Sequence, residues 1–212
     1  TRESSAVFMG DLHSLMFRIR LPHFTGNVNE QYAPPQHRML LEGCSMVFRP
    51  YRRLNAVLYA HRWAYGRDPQ FYNYEAIGGD CTNFASQCIY AGTGVMNETP
   101  LYGWYYINAN NKSPSWTGVE YLYDFLTRPR ASLGPVAHAT TDLRDAQLGD
   151  VIQLRFNGST FQHSPVVVQS SVDGSTDKIL VAAHSADADW RPLSSYEYQE
   201  LRILHILGFY DE

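Results

Sequence analysis

Three cysteines in 212 residues are too few for a disulfide framework. Cys81 and Cys88 fall within one helical pattern, about 10 Å apart at the helical rise, so they are out of reach of a bridge. Cys88 reads as a small core residue and Cys44 as inert. No Cys-x-x-Cys or His-x-x-x-His spacing marks a metal site. His163, His184, Asp187 and Asp189 have ligand chemistry without ligand spacing, so metal catalysis is the weaker reading and no cofactor is called for. The chain also lacks a basic excess. Its 17 Lys and Arg against 21 Asp and Glu give a net charge of −4, which supplies no electrostatic case for nucleic acid. No apolar run approaches the length of a membrane span. No leader is visible ahead of Thr1, which leaves a secreted or cell-envelope location (after leader removal) and a cytoplasmic one both open. Oligomeric state has no signature here.

What is present suits a packed globule of one domain, or one domain with an extension. Hydrophobic residues make up 44% of the chain, and 15 Tyr and four Trp are plentiful. Most of those aromatics are expected in the core, with a few free to line a groove. Residues 1–50 read as an N-terminal extension, with an alternating stretch at 14–21 that suits an edge strand and a loop at Pro34-Pro35. Residues 51–212 read as the domain proper. Leu54, Val57, Leu58, His61 and Tyr65 follow helical spacing up to a stop at Gly66. Residues 93–114, rich in Asn, Gly and Tyr, are expected to form a long surface loop walling a cleft. A third helix follows from Trp116 to Leu126. Residues 127–147 lead to strands near 150–156, 164–170, 178–184 and 202–210. The expectation is an α+β fold with helices at 51–65, 81–92 and 116–127 on one side of a mostly antiparallel sheet.

The most telling stretch is Gly78-Gly79-Asp80-Cys81-Thr82-Asn83-Phe84-Ala85-Ser86-Gln87-Cys88. Phe84, Ala85, Cys88 and Ile89 recur at helical spacing, and Asp80 is a good N-cap because its carboxylate accepts first-turn N–H groups. Cys81 then sits at the positive end of a helix dipole, which favours the thiolate. The two glycines allow a sharp turn and leave space above the sulfur. Asn83 reads as a surface amide, and Asp150 as a turn residue.

An activated thiol needs a base. His163 stands at the mouth of the apolar run Pro165-Val166-Val167-Val168, and His184 closes the run Ile179-Leu180-Val181-Ala182-Ala183. A turn at Asp173-Gly174-Ser175 makes the two runs an antiparallel hairpin, which brings both histidines to one end. Cys81 is the expected nucleophile and His163 the expected base, in hydrogen-bond contact. His184 is the first choice to orient His163, and Asp187 the competitor, since a carboxylate also holds an imidazole tautomer. The remaining histidines have no assignable partner.

The order of helix cysteine, strand histidine and a polar residue on the next strand resembles the papain-like amidohydrolases of the NlpC/P60 and CHAP type. Asp80-Cys81-Thr82-Asn83-Phe84 looks like their Asp-Cys-Ser-Gly-Phe signature. A closer resemblance is to the bacterial putative amidase domain family, at Tyr51–Ala60, Gly78–Phe84, Ser113–Val119, Gly149–Leu154, and around His163 and His184. It covers roughly residues 51–212. The resemblance implies a papain-like fold and amide or peptide hydrolysis through an acyl-enzyme on Cys81, with an amide or peptide substrate such as a peptidoglycan stem peptide. The other reading is a non-catalytic papain-like module that binds cell-wall or peptide ligands.

Overall fold

The computed structural model describes residues 40–41, 44–129 and 131–212. These fall within the compact unit Arg38–Glu212. The 14–21 stretch, Pro34-Pro35 and the Cys44 side chain lie outside the described residues.

In chain order the elements are β1 (Leu40–Leu41), β2 (Cys44–Ser45), β3 (Val47–Pro50), α1 (Arg53–Trp63), α2 (Cys81–Thr93), β4 (Tyr106–Asn108), β5 (Asn111–Lys112), α3 (Pro114–Thr117), α4 (Val119–Leu126), β6 (Gly134–Thr140), β7 (Val151–Arg155), β8 (Val166–Gln169), β9 (Leu180–Ala183), β10 (Ala188–Pro192) and β11 (Glu200–Asp211). The fold is α+β, and every described strand pairing is antiparallel. The main sheet runs β10-β9-β8-β7-β11-β3, with β6 also on β11. β11 is long enough to serve three partners: Glu200–Leu204 pair with β7, Ile203–Tyr210 with β6, and Gly208–Asp211 with β3. A register shift between Ile206 and Gly208 lets the sheet curl there.

The sheet separates two apolar clusters, as strand alternation requires. Val166, Val168, Ala182 and Leu204 join Phe84, Cys88, Ile89, Ala56 and Ala60 on the helix side. Ile152, Leu154, Val167, Ile179, Val181 and Ile203 meet Ala146 and Leu193 on the other. The expected hairpin is present as β8 and β9, with Val166 opposite Ala182.

Four expectations need correction. The buried face of α1 is its small face, Ala56, Val57 and Ala60, while Leu54 and Leu58 are each 66% exposed. Close seating explains this. The chain enters α1 against the last turn of α2, where Arg52 N–H donates to the Gly92 carbonyl and a Cβ on Gly92 would lie 2.1 Å from the Tyr51 ring. The 93–114 stretch is no free surface loop: Trp104 is fully buried, donates to Ser86 Oγ at 3.1 Å, and precedes the β4–β5 hairpin. The third helix is two, because Gly118 is extended and breaks α3 from α4. The 127–147 connection contains β6, a strand hidden by its opening Gly-Pro and exposed His138.

Asp150 is the hub of the side opposite the cysteine helix start. Its buried carboxylate accepts from Arg53 Nη1 at 2.6 Å, Ile206 N–H at 3.0 Å and Gln147 N–H at 2.9 Å, and pairs with His205 Nδ1 at 2.7 Å. It caps its own turn, as expected, and also ties α1 to β11.

Candidate active site

Gly78 and Gly79 turn the chain into α2 with φ of +122° and +98°, a region open to glycine and costly for other residues. A Cβ on Gly78 would meet nothing within 4 Å, so space does lie open beside this turn. Cys81 is the first residue of α2 and is buried. Its sulfur lies 3.9 Å from the Gln162 carbonyl oxygen and 3.8 Å from Thr82 Oγ1. Next to it, Thr82 Oγ1 and Ser164 Oγ are 3.1 Å apart. The helix start is therefore pressed onto the strand backbone at 162–164, which carries His163.

His163 is buried, and Leu154 faces it across an isolated bridge just ahead of β8. Ser164 meets α2 through Thr82, and β8 begins only at Val166, beyond the His163 imidazole. The imidazole packs 5.5 Å from the Tyr196 ring and 6.1 Å from the Phe156 ring. The thiol lies against the peptide that carries the imidazole, and among the described residues no hydrogen bond joins the two. The expected direct contact is absent from this resting site.

Both titrating groups are shifted toward their neutral forms. Burial raises the Cys81 thiol above its ordinary range; hydrogen bonds from the Thr82 hydroxyl and from the Ser164 and Thr82 backbone offset part of this. Burial thus holds the thiol above its ordinary range, against the expectation of a dipole-lowered thiol. Burial, reinforced by the Arg191 guanidinium, lowers His163 to about 4. At neutral pH the pair is thiol and free imidazole, not an ion pair.

The two expected orienters are engaged elsewhere. His184 is fully buried and stacks on Phe84 with ring centroids 4.1 Å apart. Its Nε2 donates to the Trp63 carbonyl at 2.9 Å, and its Nδ1 meets Asp80 Oδ2 at 2.6 Å. A carbonyl only accepts, so Nε2 keeps its proton, and neither nitrogen is free for His163. Asp187 is held by two guanidinium nitrogens of Arg67, at 2.9 and 3.0 Å. Asp80 is also recast. No side chain caps α2, and the Asp80 carboxylate instead takes Tyr74 N–H at 2.9 Å, Asn83 Nδ2 at 2.8 Å and His184. Asn83 is correspondingly buried, accepting from Trp116 Nε1 at 2.8 Å, rather than a surface amide. His184 and Asp80 thus pin the end of β9, the last turn of α1 and the start of α2 together. That fixes where the Cys81 sulfur stands.

Among the described residues, His163 is the uncommitted imidazole of this neighbourhood. His61 pairs with Asp189 at 2.9 Å and stacks on Trp190, His205 pairs with Asp150, and exposed His138 lies on β6, separated from β8 by β11 and β7. The same pairings disperse the four residues with ligand chemistry, and no cluster of three metal-ligating side chains occurs among the described residues.

The family model described as "Putative amidase domain" matches residues 50–207. The chain belongs to this family. It is also 33% identical over 120 residues to the uncharacterized protein YhbB of Bacillus subtilis (strain 168), an alignment covering 56% of this chain and 37% of that protein. The chain thus spans little more than a third of that relative's length. No solved structure matches.

The family match encloses the whole candidate site, from α1 to Leu207 within β11. An amidase needs a nucleophile, a proton acceptor and donors for the carbonyl oxygen. The sequence pointed to the first two and missed a neighbour, Tyr196, which packs on His163 from a turn 33 positions away. Nothing in the local sequence distinguishes Tyr196 from the other 14 tyrosines. Among the described residues no helix is long and apolar enough to cross a membrane.

Proposed function

We propose that this amidase-family chain is a cysteine amidohydrolase of papain-like type, related to NlpC/P60 and CHAP enzymes, with Cys81 as nucleophile and His163 as base. The observation that carries the reading is the Cys81 sulfur lying against the 162–164 backbone, whose His163 is buried, neutral and, among the described residues, without a hydrogen-bond partner on its ring. Apo catalytic hydrogen bonds are often long and tighten around substrate, so the open thiol–imidazole gap suits a resting enzyme.

The neutral pair dictates the sequence of events. As the sulfur attacks the amide carbonyl carbon, its proton passes to a His163 nitrogen and the C=O π pair moves onto oxygen. That oxygen is met by the Cys81 backbone N–H at the α2 start. When the pair returns, the C–N bond breaks and His163 protonates the departing amine. Water then attacks the thioester, giving its proton to His163. The C–S bond breaks, the acid leaves, and the thiol is restored. His184 and Asp80 act only by placing the helix start.

An amide or peptide in cell-wall stem peptides is the substrate class we favour, on the family match and the aromatic walls around His163. The test is hydrolysis of purified peptidoglycan fragments by wild type, Cys81→Ala and His163→Gln. Release of new amino groups by wild type alone supports the reading. Equal release by Cys81→Ala overturns it, and ligand retention without cleavage by all three points to the binding module.

A further inference from the structure

The Tyr196 hydroxyl is fully buried yet has no hydrogen-bond partner in the protein among the described residues. Such groups are rare, because leaving a buried donor unmet forfeits its hydration with nothing in return. The other atom of this kind, Arg67 Nε, at least faces Asp80 Oδ2 at 3.5 Å. The charged neighbour of Tyr196 among the described residues is the Arg191 guanidinium, which carries only donors and offers the phenol proton no acceptor.

Its setting is built and rigid. Tyr196 follows the turn Leu193–Ser195, where its N–H donates to the Leu193 carbonyl. The Arg191 guanidinium lies 3.8 Å over the ring and is itself fixed by Ser195 Oγ at 2.8 Å. The His163 ring packs 5.5 Å away, and the His163 backbone abuts the Cys81 sulfur. The ring is thus clamped beside the thiol–imidazole peptide. Burial raises the phenol above its ordinary value, the Arg191 guanidinium offsets part of this, and charge on Cys81 adds a smaller rise. The group therefore stays protonated through neutral pH, and a charge appearing at the sulfur or its adduct is felt there.

A fixed, protonated, unpartnered donor beside a nucleophile has a natural acceptor: the oxygen that gains charge when the sulfur adds to a carbonyl. We propose that the Tyr196 hydroxyl donates a hydrogen bond to the carbonyl oxygen of the acyl group under attack at Cys81, complementing the backbone N–H of the α2 start. This rests on Cys81 being the nucleophile. It makes Tyr196 a catalytic residue, in contact with the reacting atoms.

The test uses two reagents and the whole chain. p-Nitrophenyl acetate acylates the thiol through a tetrahedral oxyanion: the S–C bond forms, the π pair moves to oxygen, then returns as p-nitrophenolate leaves. Iodoacetamide alkylates the same thiol by direct displacement of iodide, with no oxyanion. Tyr196→Phe should slow acylation of Cys81 by about 10²- to 10³-fold and leave alkylation unchanged. Its urea midpoint should equal or exceed that of wild type, because removing an unmet buried hydroxyl costs nothing. Unchanged acylation, equal slowing with both reagents, or a lowered urea midpoint each overturn the assignment. A wild-type Cys81 that takes up neither reagent overturns the nucleophile and this donor together. A wild type that acylates normally beside an equally fast Tyr196→Phe overturns the donor alone.

Discussion

Acidification should destabilise the fold through His163, and the amount can be worked from its environment. Burial and Arg191 hold the folded-state pKa at about 4, against an ordinary value of 6.5. Between those values the unfolded chain binds a proton that the folded chain refuses, so stability falls as pH drops through the window and rises again toward neutrality. The full effect is about 3.4 kcal/mol, at 1.36 kcal/mol per pH unit. By about pH 4.5, some 2.4 kcal/mol of it is lost relative to pH 7. The assay is urea unfolding of wild type and His163→Gln at both pH values. Every other titrating group is common to the two proteins and cancels in the double difference. At an m-value of about 2 kcal/mol/M, the wild-type midpoint should fall by about 1 M more than that of the variant. Parallel falls in the two proteins would refute a neutral buried His163.

Cys81 alkylation by iodoacetamide should climb through the alkaline range, with a midpoint above that of a free thiol, because burial raises it; a midpoint near neutrality would show a pre-formed thiolate. His184→Ala should cost about 3–5 kcal/mol in urea unfolding, since it leaves the buried Asp80 carboxylate without its ring partner. Asp187→Ala should cost less than about 1 kcal/mol, because its pair with Arg67 is exposed to solvent. Asp150→Ala should also cost about 3–5 kcal/mol, through the unpaired Arg53 and His205, while leaving Cys81 reactivity per folded molecule unchanged.

The parts of this fold that were legible in the sequence are local. The α2 start, with Gly78-Gly79 ahead of Cys81, is written in turn chemistry and helical spacing. The β8–β9 hairpin is written in two apolar runs and one Asp-Gly turn. What escaped depends on neighbours far away in the chain. Leu54 and Leu58 carry the larger apolar groups of α1, but close approach to α2 selects the alanine face for burial. Asp80 looks like a helix cap, yet His184, 104 positions later, and Tyr74 claim its oxygens. His184 shares a hairpin end with His163, but Asp80 and the Trp63 carbonyl take both its nitrogens. Helix-dipole reasoning gave the thiol a lowered pKa, where burial decides the opposite. Tyr196 has no local signature at all; only its unmet hydroxyl in the folded chain singles it out.

The central claim is that Cys81 forms an acyl-enzyme with His163 as its base. Peptide mapping by mass spectrometry after brief exposure to p-nitrophenyl acetate at neutral pH tests it most directly. The account predicts a thioester on Cys81 in wild type, none at that position in Cys81→Ala, and formation slowed by about 10²- to 10⁴-fold in His163→Gln. Acetylation of Cys81 at the wild-type rate in His163→Gln, or an adduct confined to residues other than Cys81, would contradict it.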